Sequence, residues 1–501
     1  MALRQSSSAR GLQSLTAGCI MHRYPLAFRR HPQCMRRRAY ASNSSPASTP
    51  QSDSQPTSPS ISKSKREAPT ATNASSINTS LPDGWEDGHH DVKTFHDLPA
   101  GRDFGLNQHM VEMNHDFTDA LRQIIWQFRA PIRYAFAYGS GVFPQSSESS
   151  SSGSLSPHPN PPEAIKKWQE GGQKVIDFIF GVTYTQHWHS LNLQQHRDHY
   201  SFLGTAGSWA VSQVQDRLGA GVYFNPFITV NGTMIKYGVV NLNTLYRDLS
   251  EWDTLYLAGR LQKPVKILRD DARIRLANQV NLISAVRAAL LMLPGKFTEQ
   301  QLFNAIAGLS YMGDPRMTYG SENPHKVANI VTHQLRNFRR LYNPLLDTLP
   351  NTTHTDSRVK TPGWEVDTPP GVDVTMEQDM DPVKRGNMVR RLPKSFRQKI
   401  YFAYQRQYGI SGTEFQKMLE AAKDDDSESF KKRQGGDFEQ RVASESDLRD
   451  KVSDAVQLTV KWPSTVQSAK GLLTAGPLRG WKYMSEKLAK SKQGKQEGKS
   501  K

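Results

Sequence analysis

Residues 136–145 read FAYGSGVFPQ, an apolar run that ends on Gly139, Ser140 and Gly141. Backbone without side chains can approach phosphate oxygens closely, and the serine hydroxyl adds a donor. A second apolar run, KVIDFIFGV over 174–182, carries a single acid, Asp177. A nucleoside triphosphate brings about four negative charges to an in-line displacement at phosphorus, and a divalent cation held by a carboxylate neutralises them. The two runs together point to nucleotide phosphate chemistry. Taken alone, they read more simply as a turn and a partly buried acid.

Both runs read as strands that must lie side by side. Thirty-six residues separate Ser140 from Asp177, but seventeen of them (146–162, SSESSSSGSLSPHPNPP) are low-complexity and read as a surface insertion. Without that insertion the connection has the length of an ordinary loop. The arrangement then resembles polymerase-β-type nucleotidyltransferases, in which a Gly-Ser turn holds the terminal phosphates and the next strand carries the metal-binding acids. That pattern often has a second acid two residues on; here the position is Ile179.

Around these strands, residues 109–129 place apolar side chains at helical spacing, and 185–201 form a polar, His-rich helical stretch. Residues 222–230 and 234–240 are β-prone and flank Asn231-Gly232, a strong hairpin signal. Residues 242–260 read as one amphipathic helix. A small α/β sheet of mixed direction follows. From Lys266 the pattern turns helical: 274–293 is a long apolar helix, with Arg287 inside its most apolar part, Pro294-Gly295 stops it, and Thr298 caps the next helix. This part reads as a helical, winged-helix-like domain.

Charge is concentrated at the ends. Residues 1–50 hold eight arginines and no acid, and 461–501 hold ten Lys or Arg against Glu486 and Glu497, so only +1 of the formal +17 falls on 51–460. A nearly neutral centre argues against a nucleic-acid groove, and no stable nucleic acid partner is expected. The Arg- and Ser-rich start reads as a mitochondrial presequence, and it contains both cysteines, Cys19 and Cys34. Its removal leaves no thiol for disulfide, zinc or nucleophile chemistry. No stretch is apolar enough to span a bilayer. The expected organisation is presequence 1–40, disordered linker 41–94, nucleotidyltransferase domain 95–265, helical domain 266–350, disordered insert 351–392, helical continuation 393–460 and a basic amphipathic tail 461–501. That tail suits an anionic membrane surface; a solubilising role is the alternative.

The runs FAYGSGVFPQ, VIDFIFGV, WHSLNL, HYSFLG, IKYGVV, DLSEWDTLYLAGRLQKPV, GLSYMGDPRM and ENPHKVANIV together resemble the mitochondrial phosphatidate cytidylyltransferases, over roughly 105–345 and 395–490. The resemblance implies a nucleotidyltransferase domain followed by a winged-helix-like domain, Mg²⁺ dependence, and the conversion of CTP and phosphatidate to CDP-diacylglycerol and pyrophosphate. It implies a peripheral enzyme on the matrix side of the mitochondrial inner membrane that feeds cardiolipin synthesis.

Residue roles follow from that match. Gly139, Ser140 and Gly141 are assigned to CTP phosphates and Asp177 to Mg²⁺, with Ser140, Asp177 and Lys236 as the catalytic set. Further metal ligands would come from Asp253 or Glu251, which otherwise belong to a helix surface. Lys236 lies inside an apolar strand, where its charge is either used on phosphate or extended to solvent. Arg260 and Lys263 would clamp phosphatidate or pyrophosphate, or simply sit at a helix C-terminus. His187, His189, His196 and His199 invite a zinc reading, but the match falls on His189 and His199, which suits substrate or supporting hydrogen bonds. Asn323-Pro324 and Gly313–Arg316 read as turn and cap chemistry. An RNA nucleotidyltransferase and a non-catalytic translocase assembly factor are the competing functions.

Overall fold

The computed structural model describes Gly105 and residues 107–145, 156–170, 174–318, 322–356, 372–421 and 435–476, with Val359 and Trp364. The presequence and linker expectations, and residues 477–501 of the tail, lie outside the described residues.

Five strands form the sheet that carries the site: β1 (Tyr134–Tyr138), β2 (Ile176–Val182), β3 (Val222–Val230), β4 (Thr233–Asn241) and β5 (Lys266–Arg269), in the order β3-β4-β2-β1-β5. β2 and β4 are parallel and the other pairs antiparallel, so the sheet is mixed as expected. β3 and β4 join through Asn231 (φ +47°) and Gly232 (φ +68°), the left-handed pair that matches strand twist in a two-residue hairpin. β5 was not anticipated, because its four residues, KILR, are too few to show a period.

Strand alternation divides the apolar residues between two faces. One face, with Phe136, Ile179, Phe224 and Val240, packs on a core that includes α5 (Leu242–Glu251) and α7 (Ala272–Met292). The other, with Ala135, Phe178, Phe180 and Tyr237, packs on α1 (His115–Trp126). Asn114 caps α1 by accepting from the backbone N–H of Asp116 at 2.8 Å. α7 is buried on nearly every side, Arg287 included. Thr298 caps the next helix, Glu299–Gly308, in a reciprocal box with Gln301.

The expectation of one helix over 242–260 is corrected. Trp252 adopts φ +56° and ends α5, and α6 is only Ala258–Leu261. Asp248 explains the break: its buried carboxylate accepts from Thr254 N (2.8 Å) and Oγ1 (2.7 Å), Leu257 N (2.8 Å) and Ala258 N (3.0 Å). These bonds give the interrupted backbone the partners that a continuing helix would have supplied.

The expected disordered insert is also corrected. Within 351–392, β7 (Thr352–His354) and β8 (Thr375–Gln378) join β6 (Lys296–Thr298) in an antiparallel sheet, and Pro382–Arg390 is helical. The end of the 146–162 insertion is tied to the β3–β4 hairpin, where Asn160 N donates to Gly232 O at 3.0 Å and Met234 N to His158 Nδ1 at 2.9 Å.

The expected boundary at 460 falls inside one helix, Leu448–Ala475. Its inward face beyond 460 is polar: Ser464, Gln467, Lys470 and Thr474 are buried. Gln467 Nε2 donates to Val222 O at 3.0 Å, and Lys470 Nζ to Leu218 O at 2.6 Å. The apolar side chains point outward instead, with Leu458 69% and Trp462 73% exposed and Leu472 and Leu473 on the same stretch. No helix among the described residues is long and apolar enough to cross a membrane.

Candidate active site

β1 ends at Tyr138, and the chain turns on Gly139, whose φ of +83° is left-handed backbone that glycine adopts without strain. Val142 N and Phe143 N both donate to Gly139 O, at 3.0 and 2.8 Å, and close the turn that presents Ser140. A Cβ on Gly139 would stand 3.1 Å from Asp177 Oδ2, so the bare Cα is what lets this carboxylate lie against the turn. Gly141 is bare for a second reason: a Cβ there would meet the Val175 carbonyl oxygen at 2.4 Å.

Strand register aligns the next residues. Tyr138 pairs with Asp177 across β1 and β2, and Asp177 pairs with Lys236 across β2 and β4. Directly paired residues project to the same face. Asp177 and Lys236 are 27% and 22% exposed, with Lys236 Nζ 3.8 Å from Asp177 Oδ1 and 4.6 Å from the centre of the Phe224 ring. The lysine's charge is therefore matched by Asp177 and a π face rather than extended into solvent. Arg260 continues the row, with its guanidinium 4.0 Å over Tyr256 and 5.4 Å from the centre of Tyr138. Burial raises the Tyr138 pKa; Asp177 adds to the rise, while Arg260 and Lys236 oppose it.

Ile179, the position expected to hold a second acid, is fully buried in the core. A Cβ on Gly238 would stand 2.6 Å from Phe224 and 2.9 Å from Ile179 Cδ1, so a bare β4 backbone makes room for both side chains. Asp253 does not replace the missing acid. It pairs with Arg247 and accepts from Ser395 Oγ at 3.2 Å. Glu251 is the last residue of α5.

Lys263 lies beyond Arg260, where Nζ donates to Gly259 O and to Ser310 Oγ (3.0 Å). Burial, reinforced by Arg260 and Lys326, lowers its pKa to about 7. For Arg260, burial works against the charge, but Tyr256 and Tyr138 hold its pKa above the ordinary value.

His189 and His199 are not brought to this row. Both are buried beneath the opposite face, the side of Tyr237. His189 Nδ1 is 2.8 Å from the Tyr200 hydroxyl and Nε2 is 2.7 Å from Gln215 Oε1. His199 Nδ1 is 2.8 Å from the Tyr237 hydroxyl, and Asn192 Nδ2 donates to the hydroxyls of Tyr200 and Tyr237. These histidines brace the scaffold behind β4. His196, Asp198 and His199 bring donor atoms within 4.8 Å of one another on that same side, and the His196 and His199 rings stack at 4.4 Å.

Burial pushes the His189 pKa from 6.5 down to about 4, against the hydrogen bond it donates to Gln215 Oε1. The unfolded chain binds this proton below about pH 6.5 and the folded chain only below about 4. The contribution is therefore complete above pH 6.5 and drains away as pH falls through 4. Wild type should lose about 3 kcal/mol more stability between pH 7 and pH 4 than His189→Gln does. Urea unfolding at the two pH values checks this, and equal losses would contradict it.

Sequence reasoning missed Tyr138, Tyr256 and Lys326 in the row, and it read Arg316 only as part of a local cap. The cap chemistry itself is present: Asn323 Oδ1 accepts from His325 N at 2.8 Å, and Asp314 Oδ1 from Arg316 N at 3.0 Å.

A Gly-Ser turn, a strand acid, and a lysine and an arginine on the same face are the tools of a nucleotidyltransferase. The family described as mitochondrial phosphatidate cytidylyltransferase matches residues 121–490. A Saccharomyces cerevisiae protein of that name is 44% identical over 255 residues, covering 50% of this chain and 60% of its own length. A Schizosaccharomyces pombe protein so named is 34% identical over 380 residues, with 76% and 85% covered. A Xenopus laevis one is 36% identical over 381 residues, with 76% and 96% covered. The chain belongs to the mitochondrial phosphatidate cytidylyltransferase family.

Proposed function

We propose that this protein joins CTP and phosphatidate to give CDP-diacylglycerol and pyrophosphate, as a mitochondrial enzyme on the matrix face of the inner membrane that feeds cardiolipin synthesis. The observation that carries the reading is the row Tyr138–Asp177–Lys236 beside the Gly139–Ser140 turn. The finer fold reading is a polymerase-β-type palm made by the five-stranded sheet, followed by a winged-helix-like domain that includes β6, β7 and β8.

The phosphatidate oxygen attacks the α-phosphorus of CTP, a new P–O bond forms, and the bond to the β-phosphate breaks to release pyrophosphate. A phosphomonoester is already a nucleophile near neutral pH, so positioning and charge stabilisation do most of the catalysis. Gly139, Ser140 and Gly141 receive the CTP phosphates. Lys236 offsets charge developing on the transferred phosphoryl group.

The site suits Mg²⁺. Asp177 presents hard oxygen donors in a space that a Cβ on Gly139 would crowd, 3.1 Å from Oδ2. With one protein carboxylate, the ion would complete its shell from water and CTP phosphates, as Mg²⁺ commonly does. Bound there, it supplies charge neutralisation at the phosphates.

A membrane-resident substrate also gives a use to the outward apolar stripe of the helix Leu448–Ala475. Residues 1–40 serve as the mitochondrial presequence. The test is to incubate the full-length protein with radiolabelled CTP, phosphatidate liposomes and Mg²⁺, then extract lipid. Label in the organic phase is expected. An unlabelled organic phase, with label added to tRNA instead, would replace this reading with the RNA enzyme.

A further inference from the structure

The row does not end at Arg260. Lys263 sits 5.2 Å over the Tyr311 ring, and Lys326 Nζ approaches the same ring at 5.6 Å. Lys326 opens the helix Lys326–Leu346, and Arg316 lies in the short helix Pro315–Thr318. The charges sense one another: Arg260 and Lys326 both disfavour protonated Lys263, and Arg316 disfavours the charge on Arg260 and on Lys326.

Carboxylates hold only two of these four cations. Arg316 Nε contacts both Asp314 oxygens, at 3.0 and 3.2 Å, and Lys326 Nζ is 2.8 Å from Glu322 Oε1. Among the described residues, no carboxylate lies within ion-pair distance of Arg260 or Lys263. Arg260 Nε is buried without a hydrogen-bond partner. Crowding like charges in a partly dry site is unfavourable unless an anion joins them.

We propose that Arg260, Lys263, Arg316 and Lys326 form a phosphomonoester site that receives the headgroup of phosphatidate. The proposal rests on the cytidylyltransferase reading and divides its two substrates. The Gly139–Ser140 turn, Asp177 and Lys236 take the nucleotide phosphates. The cations beyond Tyr138 take the attacking phosphate. With Lys263 protonated, four positive charges against Asp314 and Glu322 leave a surplus of two, which matches a phosphomonoester dianion. Tyr138 separates the two subsites: the Arg260 guanidinium lies 5.4 Å from its ring, and across the strands it pairs with Asp177.

The test uses the full-length protein with Lys263→Met, which keeps the length of the stem and removes only the charge, and with Arg316→Gln. Kinetics are measured with water-soluble dioctanoyl phosphatidate, varying it and CTP separately. Each variant should raise KM for the phosphatidate by roughly tenfold to a hundredfold, because a charge-assisted contact is lost, and leave KM for CTP within about twofold. Lys326→Met, which removes the fourth charge, should raise the same KM. A rise in KM for CTP with that for phosphatidate unchanged would assign the cations to the triphosphate and overturn the proposal, as would no change in either.

Calorimetric titration of dioctanoyl phosphatidate into wild type and Lys263→Met reads the same contact without turnover. Weakened binding in the variant is expected, and equal binding refutes the site. If wild type binds this lipid through Lys263 but makes no CDP-diacylglycerol, the cytidylyltransferase reading fails while the anion site stands. A variant that does not fold is identified by circular dichroism, and Arg316→Gln, at a partly exposed position, then decides.

Discussion

Asp177→Asn is expected to lower CDP-diacylglycerol formation by about a thousandfold or more while the protein stays folded. The substitution keeps shape and removes one charge from a site that is 27% exposed, so the core is untouched. Lys236 loses its partner, but at 3.8 Å and near the surface that pair contributes little to stability. Catalysis loses the hard anionic donor beside the phosphate turn. On the proposed Mg²⁺ role, a contribution of several kcal/mol corresponds to about three powers of ten in rate. The check is turnover under saturating CTP and Mg²⁺, alongside a thermal melt. A variant within tenfold of wild type would place the essential carboxylate elsewhere.

Gly139→Ala should have the second largest effect, and it separates geometry from charge. At φ +83° an L side chain is strained by about 1–2 kcal/mol, which lowers the melting temperature by a few degrees. The added Cβ also meets Asp177 Oδ2 at 3.1 Å and must push either the turn or the carboxylate. Displacements on the order of 1 Å at a reacting centre can reduce rate about a hundredfold. The expected signature is a mild loss of stability with a severe loss of kcat. Gly141→Ala should invert this balance, because its Cβ meets the Val175 carbonyl at 2.4 Å and backbone cannot swing aside. If Gly139→Ala kept full activity, the turn would not be positioning the acid.

Strands β1 to β4 were legible because each is a run rich in aromatic and β-branched residues next to glycine or Asn-Gly. The Gly-Ser turn and Asp177 were legible for the same reason, once the Ser-rich insertion was set aside. Other features depend on tertiary contacts that no local pattern records. The helix Gly207–Arg217 buries Val211, Ser212 and Gln215, so two of these three inward residues are polar and its period is faint. The packing of 461–475 was hidden in the same way, because the face it buries, Ser464, Gln467, Lys470 and Thr474, is polar and carries no apolar period. The histidines misled because Lys236 and Tyr237 are neighbours in sequence but point to opposite faces, and His199 follows Tyr237. Arg316 and Lys326 lie more than fifty residues beyond Arg260, and only the packing of three separate helices brings them to it.

Ile179 sets a limit on how this enzyme can be re-engineered. Its side chain occupies the space that Gly238 leaves beside Phe224, so residues on three strands were fitted to one another there. Giving β2 a second acid at that position would strand a carboxylate in hydrocarbon, several ångströms deeper than the open end of the sheet. A designer wanting a second carboxylate there would have to reshape β3 and β4 first. The one-acid architecture is therefore a property of how the whole sheet is packed, and no single codon change can undo it.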